Sequence, residues 1–277
     1  MTHAIRINEF GGPENLEFVE VELGDPGPGQ VRVAHTAVGL NYIDTHIRTG
    51  MYPVQLPSGL GGEAAGTVVS VGEGVEHVAP GDRIAYASSV PPQAYSEECV
   101  MDAKALLKLP DGIDDETAAA MMLKGLTSWY LLRRTYEVHA GDWILLYAAA
   151  GGVGTIAAQW AKHLGARVIG VVSTEEKREA ALAHGCEEVL LSDSNIVEAV
   201  RELTNGDGVP VVYDGVGAAT FEGSIDSLRA QGKLVGYGNA SGNFPKFDPF
   251  LLMDKGSLSF QRTNMNHFIS CCIPIPL

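Results

Sequence analysis

The pattern of apolar and polar positions divides the chain near residue 110. Before that point, apolar residues recur at alternate positions in short segments such as residues 31–37 and 65–71, with Val31 and Val33 on the same face. This period is typical of half-buried β-strands. Turns rich in glycine and proline, at residues 26–29 and 80–82, separate such segments. The first part of the chain is therefore predicted to form a compact, barrel-like β domain.

A helical pattern begins near residue 114. Asp114 or Asp115 can cap a helix through residues 116–122, because a side-chain oxygen at this position accepts a hydrogen bond from a free N–H of the first turn. Gly125 is predicted to interrupt the helix before the apolar residues 127–132. This helical bridge is predicted to separate two domains.

Beyond Val138, apolar strands alternate with helical segments. Strands are predicted at residues 143–147, 167–172, 188–191, 210–213, 233–237 and 257–260. Helical stretches separate the first five, and this order is typical of βαβ units with right-handed crossovers. The predicted fold class is therefore α/β, with a doubly wound parallel sheet that helices cover on both faces.

The strongest chemical signal is the glycine-rich turn after the first of these strands. It fits the dinucleotide-binding fingerprint, with Ala149 at the first glycine position. Gly151 would let the backbone approach a pyrophosphate, and Gly154 would let the next helix pack close to the strand, with its N-terminal amides directed at the phosphates. Glycine turns also arise from packing alone, but here the preceding strand, the helix and the next strand are all present. We therefore predict that the cofactor-binding residues of this turn are Ala150, Gly151, Gly152, Val153 and Gly154.

The end of the second strand favours NADPH over NADH. An NAD site usually has Asp or Glu about 20 residues past the turn, but Ser173 and Thr174 stand there. Lys177 follows in the next helix and could pair with a 2′-phosphate. The alternative is that Ser173 caps this helix, with Glu176 at its third position, and that Lys177 is solvated; both descriptions can hold. Ser173 and Lys177 are accordingly predicted to contact the cofactor.

Composition narrows the possible partners and location. The 34 acidic residues exceed the 19 basic residues by 15, so the net charge is −15. Such a surface repels phosphate backbones and anionic lipids, so neither nucleic acid nor a membrane is expected as a partner. The four cysteines show no spacing typical of a disulfide framework, and residues 1–10 have no apolar signal core. We expect a cytoplasmic protein.

Several stretches in the same order make the chain similar to a known family. They are residues 41–45, 48–53, 59–66, 123–127, 148–154 and 213–217. On these stretches, the chain resembles the zinc-free quinone oxidoreductases of the medium-chain dehydrogenase/reductase superfamily, up to about residue 262. The resemblance implies a GroES-like catalytic domain over residues 1–122, a Rossmann domain over residues 123–262, hydride transfer from NADPH to a quinone, and a homodimer formed through the last strand of the sheet.

The resemblance also implies that no metal is bound. Zinc-dependent relatives supply a Cys thiolate and a His-Glu pair where this chain has Asn41, Gly62 and Glu63. An amide and a glycine cannot complete a tetrahedral site of thiolate and imidazole ligands.

Further site residues follow from the resemblance. Asn41 and Thr127 would approach the nicotinamide, and Gly238 and Asn239 would close over the cofactor. Tyr52 would line the acceptor cleft, where it could orient the substrate or donate a proton; an ordinary loop aromatic is the alternative. The predicted catalytic residues are thus Tyr52 and Asn41.

Residues 263–277 do not resemble the family, and they are interpreted as the divergent tail of a shortened chain that lacks the C-terminal return segment of the catalytic domain. Two other functions stay open. An enone or alkenal reductase would use the same fold and NADPH, and a truncated NADPH-binding protein would have little catalytic activity.

Overall fold

The computed structural model describes the backbone of residues 1–87 and 91–272, and side chains up to residue 269. The chain forms two compact units, of which the first comprises Met1–Leu123 and the second begins at Lys124. The predicted order, a β-rich unit followed by an α/β unit, is confirmed. In the described part of the chain, no helix combines the length and the hydropathy that a bilayer span requires.

The first unit consists of two antiparallel sheets, with strand orders β2-β1-β4 and β7-β3-β5-β6-β8. Val31 and Val33 are fully buried in β3, as the period of two predicts, and they pack with Val68, Ile84 and Tyr86. The elements are β1 (Thr2–Ile7), β2 (Glu17–Val21), β3 (Gln30–Val38), α1 (Tyr42–Arg48), β4 (Ser58–Gly59), β5 (Glu63–Val71), β6 (Arg83–Ala87), β7 (Glu98–Asp102) and β8 (Leu107–Lys108).

Helix α2 covers Asp115–Tyr130 and continues as one π-helical turn. Asp114 caps it, because the N–H of Thr117 donates to Asp114 Oδ1 at 2.6 Å. The predicted interruption at Gly125 is wrong. A single glycine costs a helix only about 1 kcal/mol, and burial of residues such as Leu131 after it offsets that cost.

The second unit is built on one six-stranded parallel sheet, with strand order β11-β10-β9-β12-β13-β14. Its core includes the fully buried side chains of Leu145, Ile169, Val212 and Leu234. The elements are β9 (Trp143–Tyr147), α3 (Gly152–His163), β10 (Arg167–Val172), α4 (Glu175–Ala183), β11 (Glu188–Leu191), α5 (Ile196–Leu203), β12 (Val209–Asp214), α6 (Phe221–Asp226), β13 (Leu228–Gly236), α7 (Phe250–Asp254), β14 (Ser259–Arg262) and α8 (Met265–Cys272).

The order of these strands creates a switch point between β9 and β12. From β9 the chain moves outward through β10 and β11, and it then returns to pair β12 with the other side of β9. Loops that leave the carboxyl ends of β9 and β12 therefore diverge to opposite faces, and the crevice between them is where open α/β sheets bind ligands.

The boundaries of the later strands differ from the sequence predictions. The strands β9, β10 and β11 have the predicted bounds, whereas β13 begins at Leu228, five residues before the predicted start at 233, and β14 begins at Ser259, two residues late. Residues 229–231 are exposed, and Gln231 has a φ of 60°. Hydrophobic periodicity therefore gives no signal for this part of β13.

Candidate functional site

The glycine turn joins β9 to α3 at the switch point. Ala148 has a φ of 55°, in the left-handed region, and its carbonyl accepts a hydrogen bond from the N–H of Gly151 at 2.8 Å. Gly151 is the N-cap of α3, with φ −80° and ψ 173°, and the helix begins at Gly152. The free N–H groups of the first turn of α3 are consequently presented at the carboxyl end of β9.

Close approach to backbone requires glycine at one position of the turn, Gly154, whereas the neighbour of Gly152 is a side chain that can move. A Cβ atom on Gly154 would lie 2.4 Å from the carbonyl oxygen of Ala148 and 2.6 Å from that of Ala149. A Cβ atom on Gly152 would lie 2.8 Å from the Lys124 side chain, which is flexible. Gly154 therefore lets α3 pack directly against the turn, which is the contact that the fingerprint predicts.

A hydroxyl and an ammonium lie together at the end of β10. Lys177 Nζ donates to Ser173 Oγ at 3.0 Å, and both side chains are exposed. The predicted capping of α4 by Ser173 is wrong, because Thr174 is the N-cap and its Oγ1 accepts from the N–H of Lys177 at 3.3 Å. Ser173 is consequently outside the helix, beside a cation. An ammonium and a hydroxyl are suitable partners for a phosphate monoester.

A buried carboxylate organises the loop after β12. Asp214 Oδ1 accepts from the N–H groups of Val216 and Gly217, at 2.7 and 3.0 Å. Asp214 Oδ2 accepts from the hydroxyls of Thr220 and Ser224, at 2.7 and 2.8 Å. The sequence marked Asp214 only as part of a family stretch, and nothing in its spacing predicted this role.

The predicted cofactor residues Gly238 and Asn239 lie after β13. A Cβ atom on Gly238 would lie 2.4 Å from the carbonyl oxygen of Gly215, so the loop after β13 touches the loop after β12. Asn239 is buried, and its Nδ2 donates to Asn243 Oδ1 at 2.9 Å.

These features fit an NADP-type dinucleotide at the carboxyl edge of the sheet. The turn at Gly154 leaves a close cradle at the N-terminus of α3 for a diphosphate, and Ser173 with Lys177 suits a 2′-phosphate. The loops after β12 and β13 form the other wall of the switch-point crevice.

The predicted catalytic residue Asn41 belongs to a buried polar network in the first unit. Asn41 Nδ2 donates to Glu63 Oε2 at 2.7 Å, and Glu63 Oε1 accepts from the N–H of Leu123 at 2.6 Å. Asp44 Oδ2 accepts from the N–H of Asn41 at 2.9 Å and from the Tyr95 hydroxyl at 2.7 Å. Burial, and next the hydrogen bond to Asp44, raise the pKa of Tyr95 far above its ordinary value. The sequence marked Asp44 only as part of the family stretch 41–45, although its spacing from Asn41 is that of a capping box, and Tyr95 was not singled out.

The residues of this network do not fit a tetrahedral zinc site. Asn41 contributes an amide that donates to the Glu63 carboxylate, and amide N–H groups are not zinc ligands. Among the side chains that the structure describes, those of residues 1–87 and 91–269, no group of three or more His, Cys, Asp or Glu could hold a metal ion.

Two other predicted site residues lie on separate elements. Tyr52 follows α1, and its ring packs edge-to-face on His46, with centroids 5.5 Å apart. Asn41 precedes α1, so the two predicted catalytic residues flank one helix. Thr127 is buried in α2, and its Oγ1 contacts Met265 Sδ at 3.9 Å.

A second buried cluster surrounds His35. Its Nδ1 contacts the carbonyl oxygen of Ser96 at 2.7 Å, and its Nε2 contacts the Tyr86 hydroxyl at 2.9 Å. Burial lowers the pKa of His35 and raises the pKa of the neighbouring Cys99 thiol to about 12. Cys99 is therefore a protonated packing residue and not a nucleophile.

Comparisons with known proteins agree with both units. The family model described as an alcohol dehydrogenase GroES-like domain matches residues 27–140, and the model described as a zinc-binding dehydrogenase matches residues 152–271. The second match reaches into the segment predicted as a divergent tail. The predicted fold class, a GroES-like domain and a parallel-sheet Rossmann domain, is confirmed.

Several of the similar proteins are reductases or oxidoreductases. A quinone oxidoreductase of Pseudomonas aeruginosa is 49% identical over 97% of this chain and 83% of its own length. A 2-haloacrylate reductase of Burkholderia sp is 44% identical over 98% of this chain and 83% of its own length. The solved structure of an Escherichia coli quinone oxidoreductase complexed with NADPH is 46% identical, with a TM-score of 0.95 over 97% of this chain and 82% of that one. The chain therefore belongs to the quinone oxidoreductases of the medium-chain dehydrogenase/reductase superfamily.

Proposed function

We propose that this protein is an NADPH-dependent quinone reductase that works without a metal ion. The observation that carries the proposal is the glycine turn, which opens α3 at the switch point of the sheet beside the Ser173–Lys177 pair. The names of the similar proteins from Pseudomonas aeruginosa and Escherichia coli support a quinone as the acceptor.

The second unit would hold the cofactor through its own backbone and side chains. N–H groups of the first turn of α3 bind the diphosphate, because Gly154 keeps the helix against the turn. Lys177 and Ser173 bind the 2′-phosphate and so exclude a preference for NADH. When bound, NADPH supplies the hydride that reduces the acceptor.

Asn41 and Tyr52 would act on the acceptor oxygens. Asn41 Nδ2 carries two hydrogens, one of which donates to Glu63. The other can donate to an oxygen that gains negative charge, and the fixed amide needs no reorganisation to do so. The Tyr52 hydroxyl can supply a proton. Addition of one hydride to a quinone gives the hydroquinone monoanion, and addition of one proton to this anion gives the neutral hydroquinone.

Reduction of an activated alkene is the second candidate. The observation that favours it is the 44% identity to a 2-haloacrylate reductase over nearly the whole chain. A carbonyl or carboxylate conjugated to a double bond gains charge on oxygen when hydride adds to carbon, so the same Asn41 and Tyr52 donors would serve. An NADPH-binding protein with little activity is the remaining alternative.

An assay with two acceptors separates these functions. NADPH oxidation is followed by absorbance with 1,4-benzoquinone and, separately, with 2-chloroacrylate, and NADPH binding is measured by calorimetry. Faster turnover of the quinone supports the proposal, and faster turnover of the acrylate favours the second candidate. Binding of NADPH without oxidation by either acceptor favours the weakly active alternative. No binding of NADPH would overturn the assignment.

We also propose a cytoplasmic homodimer. Strand β14 is an edge of the six-stranded sheet, and the backbone groups of an edge strand can pair with a second copy. Cys99 and Cys186 are buried free thiols, which suit a reducing compartment. Sedimentation equilibrium at several protein concentrations tests the dimer, and a monomer throughout would contradict it.

A further inference from the structure

Two loops on the carboxyl edge of the sheet pair with each other. The β12 loop is residues 214–220, and the β13 loop is residues 237–242. Tyr237 N donates to the carbonyl oxygen of Asp214 at 2.9 Å, and Ser241 N donates to that of Val216 at 2.8 Å. Three weaker bonds complete the pairing, from Ala240 N to Gly215 O at 3.3 Å, from Ala218 N to Gly242 O at 3.2 Å and from Gly238 N to Asp214 O at 3.4 Å.

The Ser241 hydroxyl adds a second link between the loops. It donates to the carbonyl oxygen of Val216 at 2.8 Å and accepts from the N–H of Ala219 at 3.0 Å. One side chain of the β13 loop therefore uses both its donor and an acceptor lone pair on the β12 loop. Ser241 is exposed, so removal of its hydroxyl leaves no cavity in a core.

Glycines allow the loops to touch without intervening side chains. A Cβ atom on Gly217, whose φ is 96°, would lie 2.4 Å from the carbonyl oxygen of Gly242. A Cβ atom on Gly238 would lie equally close, 2.4 Å, to the carbonyl oxygen of Gly215. The two loops consequently form one continuous wall of the crevice.

The β12 loop is itself held in place by the carboxylate of Asp214, at the end of β12. The N–H of Val216 donates to the buried Asp214 carboxylate, so one of the two groups that Ser241 binds belongs to a segment already fixed to the end of β12. Through its hydrogen bonds to Val216 and Ala219, Ser241 also holds the β13 loop, which carries Asn239, against the β12 loop.

From this arrangement we propose that Ser241 is a positioning residue for NADPH. It holds the β13 loop in place before the cofactor binds, so that Gly238 and Asn239 are ready to receive the nicotinamide end. Ordering a loop during binding reduces affinity, and a loop that is ordered in advance avoids this loss. This inference rests on the proposed function, because it assumes that NADPH occupies the switch-point crevice.

The test compares a whole cofactor with one half of it. Dissociation constants of NADPH and of adenosine 2′,5′-bisphosphate, which lacks the nicotinamide end, are measured by calorimetry for the intact chain and for Ser241→Ala. We expect the variant to bind NADPH about tenfold more weakly, which corresponds to about 1.4 kcal/mol. Its affinity for the bisphosphate should stay within about twofold of the original, a change of less than about 0.5 kcal/mol. Ser241→Thr keeps the hydroxyl and should restore NADPH binding.

A matched control is Ser96→Ala. Ser96 Oγ also donates to a loop carbonyl, that of Gln93 at 2.8 Å, but it lies in the first unit. Ser96→Ala should change neither the affinity for NADPH nor the affinity for adenosine 2′,5′-bisphosphate. Unchanged NADPH binding by Ser241→Ala would overturn the inference, and so would equal weakening of both ligands, which indicates a general disturbance. If the intact chain binds neither ligand, the proposed function itself is wrong, and the inference is lost with it.

Discussion

Replacing Gly154 by alanine should move the N-terminus of α3 and weaken NADPH binding. The added Cβ atom would lie 2.4 Å from the carbonyl oxygen of Ala148, whereas ordinary contact begins at 3.4 Å. Both groups in conflict with it are backbone carbonyls of the turn, so no side chain can rotate away. Relief therefore requires α3 to shift by about 3.4 − 2.4 = 1.0 Å relative to the turn.

Two effects of this shift can be estimated. Overpacking of this kind costs about 1–3 kcal/mol of folding free energy; for about 2 kcal/mol, the melting temperature of a domain of this size falls by about 4–8 °C. The amides that face the diphosphate are displaced as well, and a misplacement of about 1 Å can reduce function by about 100-fold. We expect the dissociation constant of NADPH to rise about 10- to 100-fold, the lower bound being a loss of about 1.4 kcal/mol.

Calorimetric titration and thermal unfolding of Gly154→Ala measure both effects. Gly112→Ala is the matched control, because a Cβ atom on Gly112 would have no other heavy atom within 4 Å. The control should bind NADPH normally and should not melt earlier. If Gly154→Ala melted within about 1 °C of the original chain, a shift that corresponds to less than about 0.5 kcal/mol, and bound NADPH equally well, the close packing of α3 on the turn would be refuted.

Three further predictions concern other parts of the chain. Lys177→Ala should raise the KM for NADPH about tenfold or more and the KM for NADH little, because it removes a charged partner of the 2′-phosphate; equal effects in steady-state kinetics would remove that role. Asp214→Ala should reduce the free energy of unfolding in urea by about 3 kcal/mol or more, because buried donors lose their acceptor, and a loss below about 1 kcal/mol would count against this. Because burial lowers the pKa of His35 in the folded chain, the unfolded chain binds more protons as the pH falls. The contribution of His35 to the free energy of unfolding is therefore intact above about pH 6.5 and declines as the pH falls toward the folded pKa. His35→Gln should accordingly show a smaller fall in urea midpoint between neutral and mildly acidic pH, and an identical fall would contradict it.

Local patterns explain why part of the fold could be predicted. Strand β9 is an uninterrupted apolar segment, and the glycine turn follows directly, so neighbouring residues carry the whole signal. Residues 229–231 of β13 are exposed, and they lie in a register shift between the pairs Val209–Leu228 and Val211–Lys233 of β12 and β13, so no hydrophobic period marks them. The helix break expected at Gly125 failed for a related reason, since burial of later residues outweighs local propensity.

In the candidate site, too, the sequence predicts features formed by residues that are close along the chain and does not predict contacts between distant residues. The contacting residues Ser173 and Lys177 are only four positions apart, and the sequence marked both as cofactor contacts. The hydrogen bonds of Asn41 to Glu63 and of Tyr95 to Asp44 span 22 and 51 positions. Only the folded chain brings these groups together, and no periodicity records such a pairing.

The switch point between β9 and β12 makes the stability of the folded chain depend on whether a nucleotide is bound. Ile144 in β9 pairs with Val211 in β12, 211 − 144 = 67 positions later. Closing so long a segment is slow, because chain entropy is lost before the contact forms. The nucleotide crevice is thus complete only when both halves of the sheet have joined, and a bound nucleotide stabilises that state alone. At a free nucleotide concentration of about 100 times the dissociation constant, this adds about 2.7 kcal/mol, so loss of the bound nucleotide would expose more of this protein to proteolysis.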